Sequence, residues 1–234
     1  MKKYIFILFL SCIVVLNAKA QFSAGYSVGY GSYQMDDMKQ VLKNMLNELR
    51  GQLPDIPVAV VDNFPGYVTH SLDLGYRIKN NEIGLRGTYL TTGGNVAYSD
   101  YSGEYSGKLT LNGFRIGLNY RYYIPATDFG KLGSLSLFAE LSPGITFSKL
   151  KSKEYIRIFD QQENSDEDLN LNANGISLLP QIGAKWFINN RIGVHIGAGY
   201  DFQLGSHFTY QGVKSTLKSD WSGIRINAGV SVTL

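Results

Sequence analysis

The chain has 234 residues, 44% hydrophobic and 18% charged, with 26 glycines and 16 tyrosines against 6 prolines. That length suits one domain behind a leader. Setting aside Lys2, Lys3 and Lys19, the 22 basic residues fall to 19 against 19 acidic ones, so the formal charge of +3 lies in the leader and no basic bias points to nucleic acid.

Lys2 and Lys3 precede an apolar run, Tyr4 to Leu16, followed by Asn17-Ala18-Lys19-Ala20. This order of charge, apolar core and Ala-x-Ala site reads as a signal peptide, 1–20, with the mature chain starting at Gln21. The run is too short to span a bilayer as a helix, and no later segment offers a long enough apolar stretch. The single cysteine, Cys12, lies inside the leader. Phe9 stands where a lipoprotein signal prefers Leu, and the apolar run continues past Cys12, so lipidation is not expected. A mature chain without cysteine has neither disulfides nor thiolate metal sites.

From Gln21 onward, side-chain character mostly alternates with a period of two. A first strand over 22–33 sets Phe22, Ala24, Tyr26, Val28 and Tyr30 against Ser23, Gly25, Ser27, Gly29 and Gly31. The period then changes. Met38, Val41, Leu42, Met45 and Leu49 recur at helical spacing between Met35 and Arg50, which predicts an amphipathic helix. Asp36 and Asp37 sit at its start and Arg50 at its end, with Gly51 as a stop. Residues 52–65 hold three prolines and form an extended return.

The second strand, 67–78, directs Val68, His70, Leu72, Leu74, Tyr76 and Ile78 outward, and Asp73 and Arg77 inward. After a turn at 79–81, Glu82 and Arg86 face inward on the third strand, opposite Ile83, Leu85 and Tyr89. On the fourth, 105–124, Arg115 and Arg121 face inward and Phe114, Ile116, Leu118, Tyr120, Tyr122 and Ile124 outward. Leu109 and Leu111 have the opposite phase, which a bulge near Asn112-Gly113 would explain. Residues 125–133 form a turn.

The fifth strand points Glu140 inward, with Leu135, Leu137, Leu141, Ile145 and Phe147 outside, and extends towards Ile158. An acidic loop follows at 160–168. Ile176 to Leu204 reads as a hairpin around Asn189-Asn190, with Lys185, His195 and Asp201 inside. Residues 211–218 link it to the last strand, where Arg225 faces inward and Ile224, Ile226, Val230, Val232 and Leu234 outward.

This predicts an all-β fold: an eight-stranded antiparallel transmembrane up-and-down β-barrel over 21–234, with one amphipathic helix in the first outer loop. A ten-stranded count, using Val58 to Asp62, is the alternative. Alternate connections are short, as periplasmic turns are, and the others long. Trp186, Tyr76, Tyr120 and Tyr122 would form an inner aromatic girdle, and Tyr30, Tyr89, Phe147 and Phe202 an outer one. With its leader, eight alternating strands and apolar ending GVSVTL, the chain resembles the outer-membrane β-barrel domain family, of the small OmpA/OmpX-type and PorT-like barrels. Many such chains end in an aromatic residue; this one ends in Leu234.

The inward charges are Asp73, Glu82, Glu140 and Asp201 against Arg77, Arg86, Arg115, Arg121, Lys185 and Arg225. In so narrow a barrel they must pair, which predicts a salt-bridged plug. The expected role is therefore structural or surface-binding, with a narrow gated channel as one alternative. A lipid A-modifying enzyme is the other, but Ser206, His207, Thr209 and His70 make no legible nucleophile–base–acid set. His195 reads as a hydrogen-bonded core residue. The resemblance implies an outer-membrane location in a diderm bacterium, with outer-membrane lipid, lipopolysaccharide and the barrel-insertion machinery as partners. It also leaves room for a protein or ligand at the outer loops. A monomer without cofactor, metal or catalytic residues is expected.

Overall fold

A computed structural model describes residues 21–52, 57–101, 103–158, 161–165, 171–189, 191–210 and 212–234. The leader and Cys12 lie outside them, as does part of the acidic loop. Eight antiparallel strands pair in a closed ring: β1 (Gln21–Gly31), β3 (Tyr67–Ile78), β4 (Asn81–Ser99), β5 (Gly103–Tyr123), β7 (Ser134–Ile158), β9 (Leu171–Phe187), β10 (Ile192–Leu204) and β13 (Gly223–Thr233). The first and last strands close it, from Ser23 opposite Thr233 to Gly31 opposite Arg225. Among the described residues no helix is long and apolar enough to cross a membrane.

Five shorter strands lie outside the ring: β2 (Ala59–Asn63), β6 (Thr127–Asp128), β8 (Gln161–Ser165), β11 (His207–Tyr210) and β12 (Val213–Lys218). This disfavours the alternative ten-stranded count and corrects three expectations, for the 125–133 turn, the acidic loop and the 211–218 link. The run 58–62 adds nothing to the ring, because β2 pairs with the upper part of β4, above the point where β3 stops. The 125–133 turn holds β6 and a short 3-10 turn, and part of the acidic loop forms β8 against the top of β7. The 211–218 link is half of a hairpin, β11–β12, that continues the β9 edge.

Alternation sends one face of every ring strand outward. Leu72, Leu74, Ile83, Leu85, Leu118, Ile182 and Ile196 are more than half exposed on that face. The opposite face carries Glu82, Arg86, Arg115, Arg121, Glu140, Lys185 and Arg225, all buried. The usual partition is thus inverted, with charge inside and apolar surface outside. Small residues make the narrow interior fit. A Cβ on Gly183 would lie 2.4 Å from the Phe138 ring and 2.2 Å from the Ile196 carbonyl.

The apolar core sits at one end of the ring, here the upper end. Helix α1 (Asp36–Gln52) descends into that mouth. It starts one residue later than the sequence predicts and runs through Gly51, so Gly51 is no stop. The Met35 carbonyl accepts the first helical bond from the Lys39 N–H at 2.9 Å, and Met35 N–H donates to the Asp220 carbonyl at 3.1 Å. Met38 and Leu42 are fully buried, and Val41, Met45 and Leu49 pack partly buried against the same cluster. Their partners are Leu90, Val96, Leu109, Leu111 and Leu150 on the inner wall. No bulge exists near Asn112: the β4–β5 and β5–β7 registers run through it without a shift. Leu109 and Leu111 share the inward face with Gly113 and Arg115 because the upper interior is itself apolar.

Candidate functional site: the filled interior

Below the helix, Trp221 fills the ring. Gly113 leaves room for its indole, since a Cβ there would sit 2.9 Å from the ring. The indole N–H donates to Ser148 Oγ at 2.8 Å, and Tyr33 packs edge-on at 4.8 Å. The backbone N–H of Trp221 donates to Gln203 Oε1 at 2.8 Å. Trp221 was not among the residues singled out from the sequence. It lies in an irregular segment where periodicity gives no direction, and its one signal is a bulky aromatic set between Ser219-Asp220 and Ser222-Gly223.

The charges divide into two layers. In the upper one, Asp201 lies between Arg115 and Arg225, at 3.7 Å and 3.5 Å. Arg115 also donates to Ser177 Oγ at 2.7 Å and to the Ser142 carbonyl at 2.5 Å. Arg225 donates to the Ser32 carbonyl at 2.8 Å and the Trp221 carbonyl at 2.6 Å. These bonds offset the desolvation of two guanidinium groups that share one carboxylate.

The lower layer is an alternating chain. Asp73 pairs with Arg86 at 2.5 Å, and Arg86 with Glu140. Glu140 pairs with Arg121 at 2.5 Å, and Arg121 with Glu82 at 3.2 Å. The β-registers set this order. Asp73 stands opposite Arg86, Glu82 opposite Arg121, and Arg121 opposite Glu140 on successive strand pairs. Between the layers is a cavity of about 20 Å³ with a mixed lining, Ser27, Thr69, Thr88 and Gln181 beside Leu90 and Leu179 among others. That is room for about one water molecule.

Arg77 and Lys185 stand apart at the lower mouth. The Arg77 guanidinium lies 4.3 Å from the Tyr123 ring centre and 4.9 Å from that of Phe187, and the Lys185 ammonium 5.1 Å from Phe187. Among the described residues neither is ion-paired within 4 Å. Tyr123, which the sequence reading also passed over, bridges them to the network by donating to Glu82 Oε2 at 3.1 Å.

His195 is buried, but neither ring nitrogen has a hydrogen-bond partner among the described residues, which corrects the expectation of a bonded core histidine. The residues weighed for catalysis are not brought together. His70 accepts or donates at Nδ1 to the Tyr26 hydroxyl, 2.7 Å away on the exterior of β1–β3. Ser206 is buried and His207 half-buried beside it at the start of β11. Among the described residues no cluster of His, Cys, Asp and Glu has metal-site geometry.

No family model matches the chain, and neither does any curated protein. Among solved structures it is similar to Neisserial surface protein A, at 12% identity and a TM-score of 0.44, covering 92% of this chain and 99% of that one. It is similar also to the outer membrane protein OprG from Pseudomonas aeruginosa, at 10% identity and a TM-score of 0.41, covering 92% and 95%. A third is Ail of Yersinia pestis in complex with the heparin analogue sucrose octasulfate, at 15% identity and a TM-score of 0.34, covering 92% and 97%. These structural neighbours are small outer-membrane β-barrel proteins.

Proposed function

We propose that the ring is a transmembrane barrel of a diderm outer membrane, exported behind the signal peptide, with a filled interior and a structural or surface-binding role. The observation that carries this is the inverted partition. Along β5 and the residue that follows it, the outward residues from Phe114 to Ile124 are all apolar or tyrosine, and the inward ones include Arg115, Asn119 and Arg121. Ten residues rise about 34 Å along a strand, which a tilt near 45° reduces to roughly 25 Å, the height of an outer-membrane apolar band. Tyr120 and Tyr122 at one end and Phe114, Phe147 and Phe202 at the other are exposed where the two interfaces would lie. Water-soluble proteins do not leave so large a continuous apolar surface uncovered.

The interior supports a plug. Two charge layers, Trp221 and the Met38–Leu42 stripe stand in series, and the cavity between the layers is too small to carry hydrated ions. Purified chain 21–234 should therefore require detergent or lipid to fold, and should then show no steady conductance in planar bilayers. A polypeptide that folds and stays soluble without amphiphile overturns the membrane reading, and steady conductance overturns the plug.

A further inference from the structure

Above its apolar band, the outer wall of β5 and β7 turns basic. Lys108 on β5 and Lys149 and Lys151 on β7 are exposed on the outward face. Lys149 follows Phe147 by two residues, and Phe147 stands opposite Phe114, both nearly half exposed. At the rise of a strand this places the Lys149 stem about 7 Å above the aromatic edge. Lys151 lies opposite Thr110, so Lys108 is its diagonal neighbour across the strand pair. Cations so placed repel one another, and an anion between them relieves the repulsion. The nearby carboxylates are fewer. Asp62 lines the same groove of about 280 Å³ as Lys108, together with Thr91, Asn95 and Thr110. Glu104, higher on the wall, is paired with Arg157 at 3.2 Å. Lys153, opposite Lys108, is engaged in an interaction of its own.

We infer that this face docks the phosphorylated sugar headgroup of an outer-leaflet glycolipid. Its phosphates sit among Lys108, Lys149 and Lys151, and its acyl chains run down Phe147, Ile145, Phe114 and Ile116. The inference rests on the membrane placement proposed above. What selects a lipid over a soluble anion is the vertical order: acyl-compatible surface passes directly into ammonium groups, with no intervening acidic residue on the outward positions of β5 or β7 between 112 and 151.

The test uses the folded protein in phosphatidylcholine bicelles and counts retained lipid by native mass spectrometry. Bis-phosphorylated lipid A should be retained at least tenfold more tightly than its dephosphorylated form. Charge near an anionic surface contributes about fivefold per lysine, so K108Q/K149Q/K151Q should weaken retention on the order of 100-fold. K214Q/K218Q, on β12, should behave as wild type. Inorganic pyrophosphate at equal concentration should not compete. Equal retention of the dephosphorylated lipid, unchanged retention by the triple variant, or full competition by pyrophosphate each overturns the assignment. The single variants K149Q and K151Q, with smaller losses, give the same reading if the triple variant folds poorly. A wild-type chain that will not enter bicelles overturns the membrane placement instead, before any lipid is added.

Discussion

Trp221 donates its indole N–H to Ser148 Oγ, and so ties the segment ahead of the last strand to β7 on another part of the ring. It is almost wholly buried and supports the upper charge layer through its carbonyl bond from Arg225. Trp221→Ala should cost about 3–5 kcal/mol in denaturant unfolding from micelles, the usual range for deleting a buried large aromatic. Trp221→Phe, which keeps most of the volume but loses the donor, should cost less. Equal losses from both changes would mean that the indole bond, rather than packing, holds this segment against β7.

Glu140 is the only carboxylate in the lower layer that pairs with two guanidinium groups among the described residues. Glu140→Ala leaves Arg86 and Arg121 with one carboxylate each, Asp73 and Glu82. Breaking buried pairs in this way costs about 3–5 kcal/mol. The melting temperature in micelles should fall clearly while planar bilayers stay silent. Raised conductance with an unchanged melting temperature would show that Glu140 gates water instead of fixing the wall.

The helix can be tested by size and by deletion. Leu42→Ala removes a fully buried side chain beside Phe64 and Gly94, and should cost about 2–5 kcal/mol. Replacing residues 37–49 with a short flexible linker should lower the melting temperature further. A helix that merely lay on lipid would leave both values where they started.

Two glycines should respond with opposite signs. Gly51 lies in the last turn of α1 with nothing within 4 Å of an added Cβ, so Gly51→Ala should stabilise by up to about 1 kcal/mol. Gly183→Ala should destabilise, because its methyl group meets the Ile196 carbonyl as well as Phe138. Thermal melts of the two variants beside wild type decide this directly.

Tyr33, two residues past the end of β1, carries a buried hydroxyl with no hydrogen-bond partner among the described residues. Burial pushes its phenol up to about 12, against the opposing pull of Arg225. At neutral pH, Tyr33→Phe should leave stability equal or slightly higher, since an unsatisfied polar group is removed. In alkali, the unfolded chain loses this proton near pH 10 and the folded one near 12, so stability falls over that window. The variant should show a shallower fall when melting is followed from pH 9 to 12. A steeper one would place a partner on that hydroxyl.

Strand faces were legible in the sequence because period two is a local property: Ile176 to Leu204 declares both its sides and its turn. The inward charges were legible for the same reason, and the registers then decide which carboxylate meets which arginine. Phase alone could not show that the interior changes character with height. Leu109 and Leu111 look misplaced until the Met38–Leu42 stripe is set against them, and that contact joins residues far apart in the chain. Trp221 and Tyr123 were opaque for a related reason. Each acts where an irregular segment or a strand end meets a distant wall.

The seam between β1 and β13 has a consequence for how the molecule comes into being. Its hydrogen bonds, down to Leu234 N–H on the Phe22 carbonyl at 2.7 Å, join the earliest strand to the latest. Until β13 arrives, the nascent sheet carries two raw edges, and in the membrane setting proposed above hydrocarbon would offer those amides nothing to bond. Shortening the carboxyl end by one strand should therefore trap an assembly intermediate rather than yield a smaller cylinder.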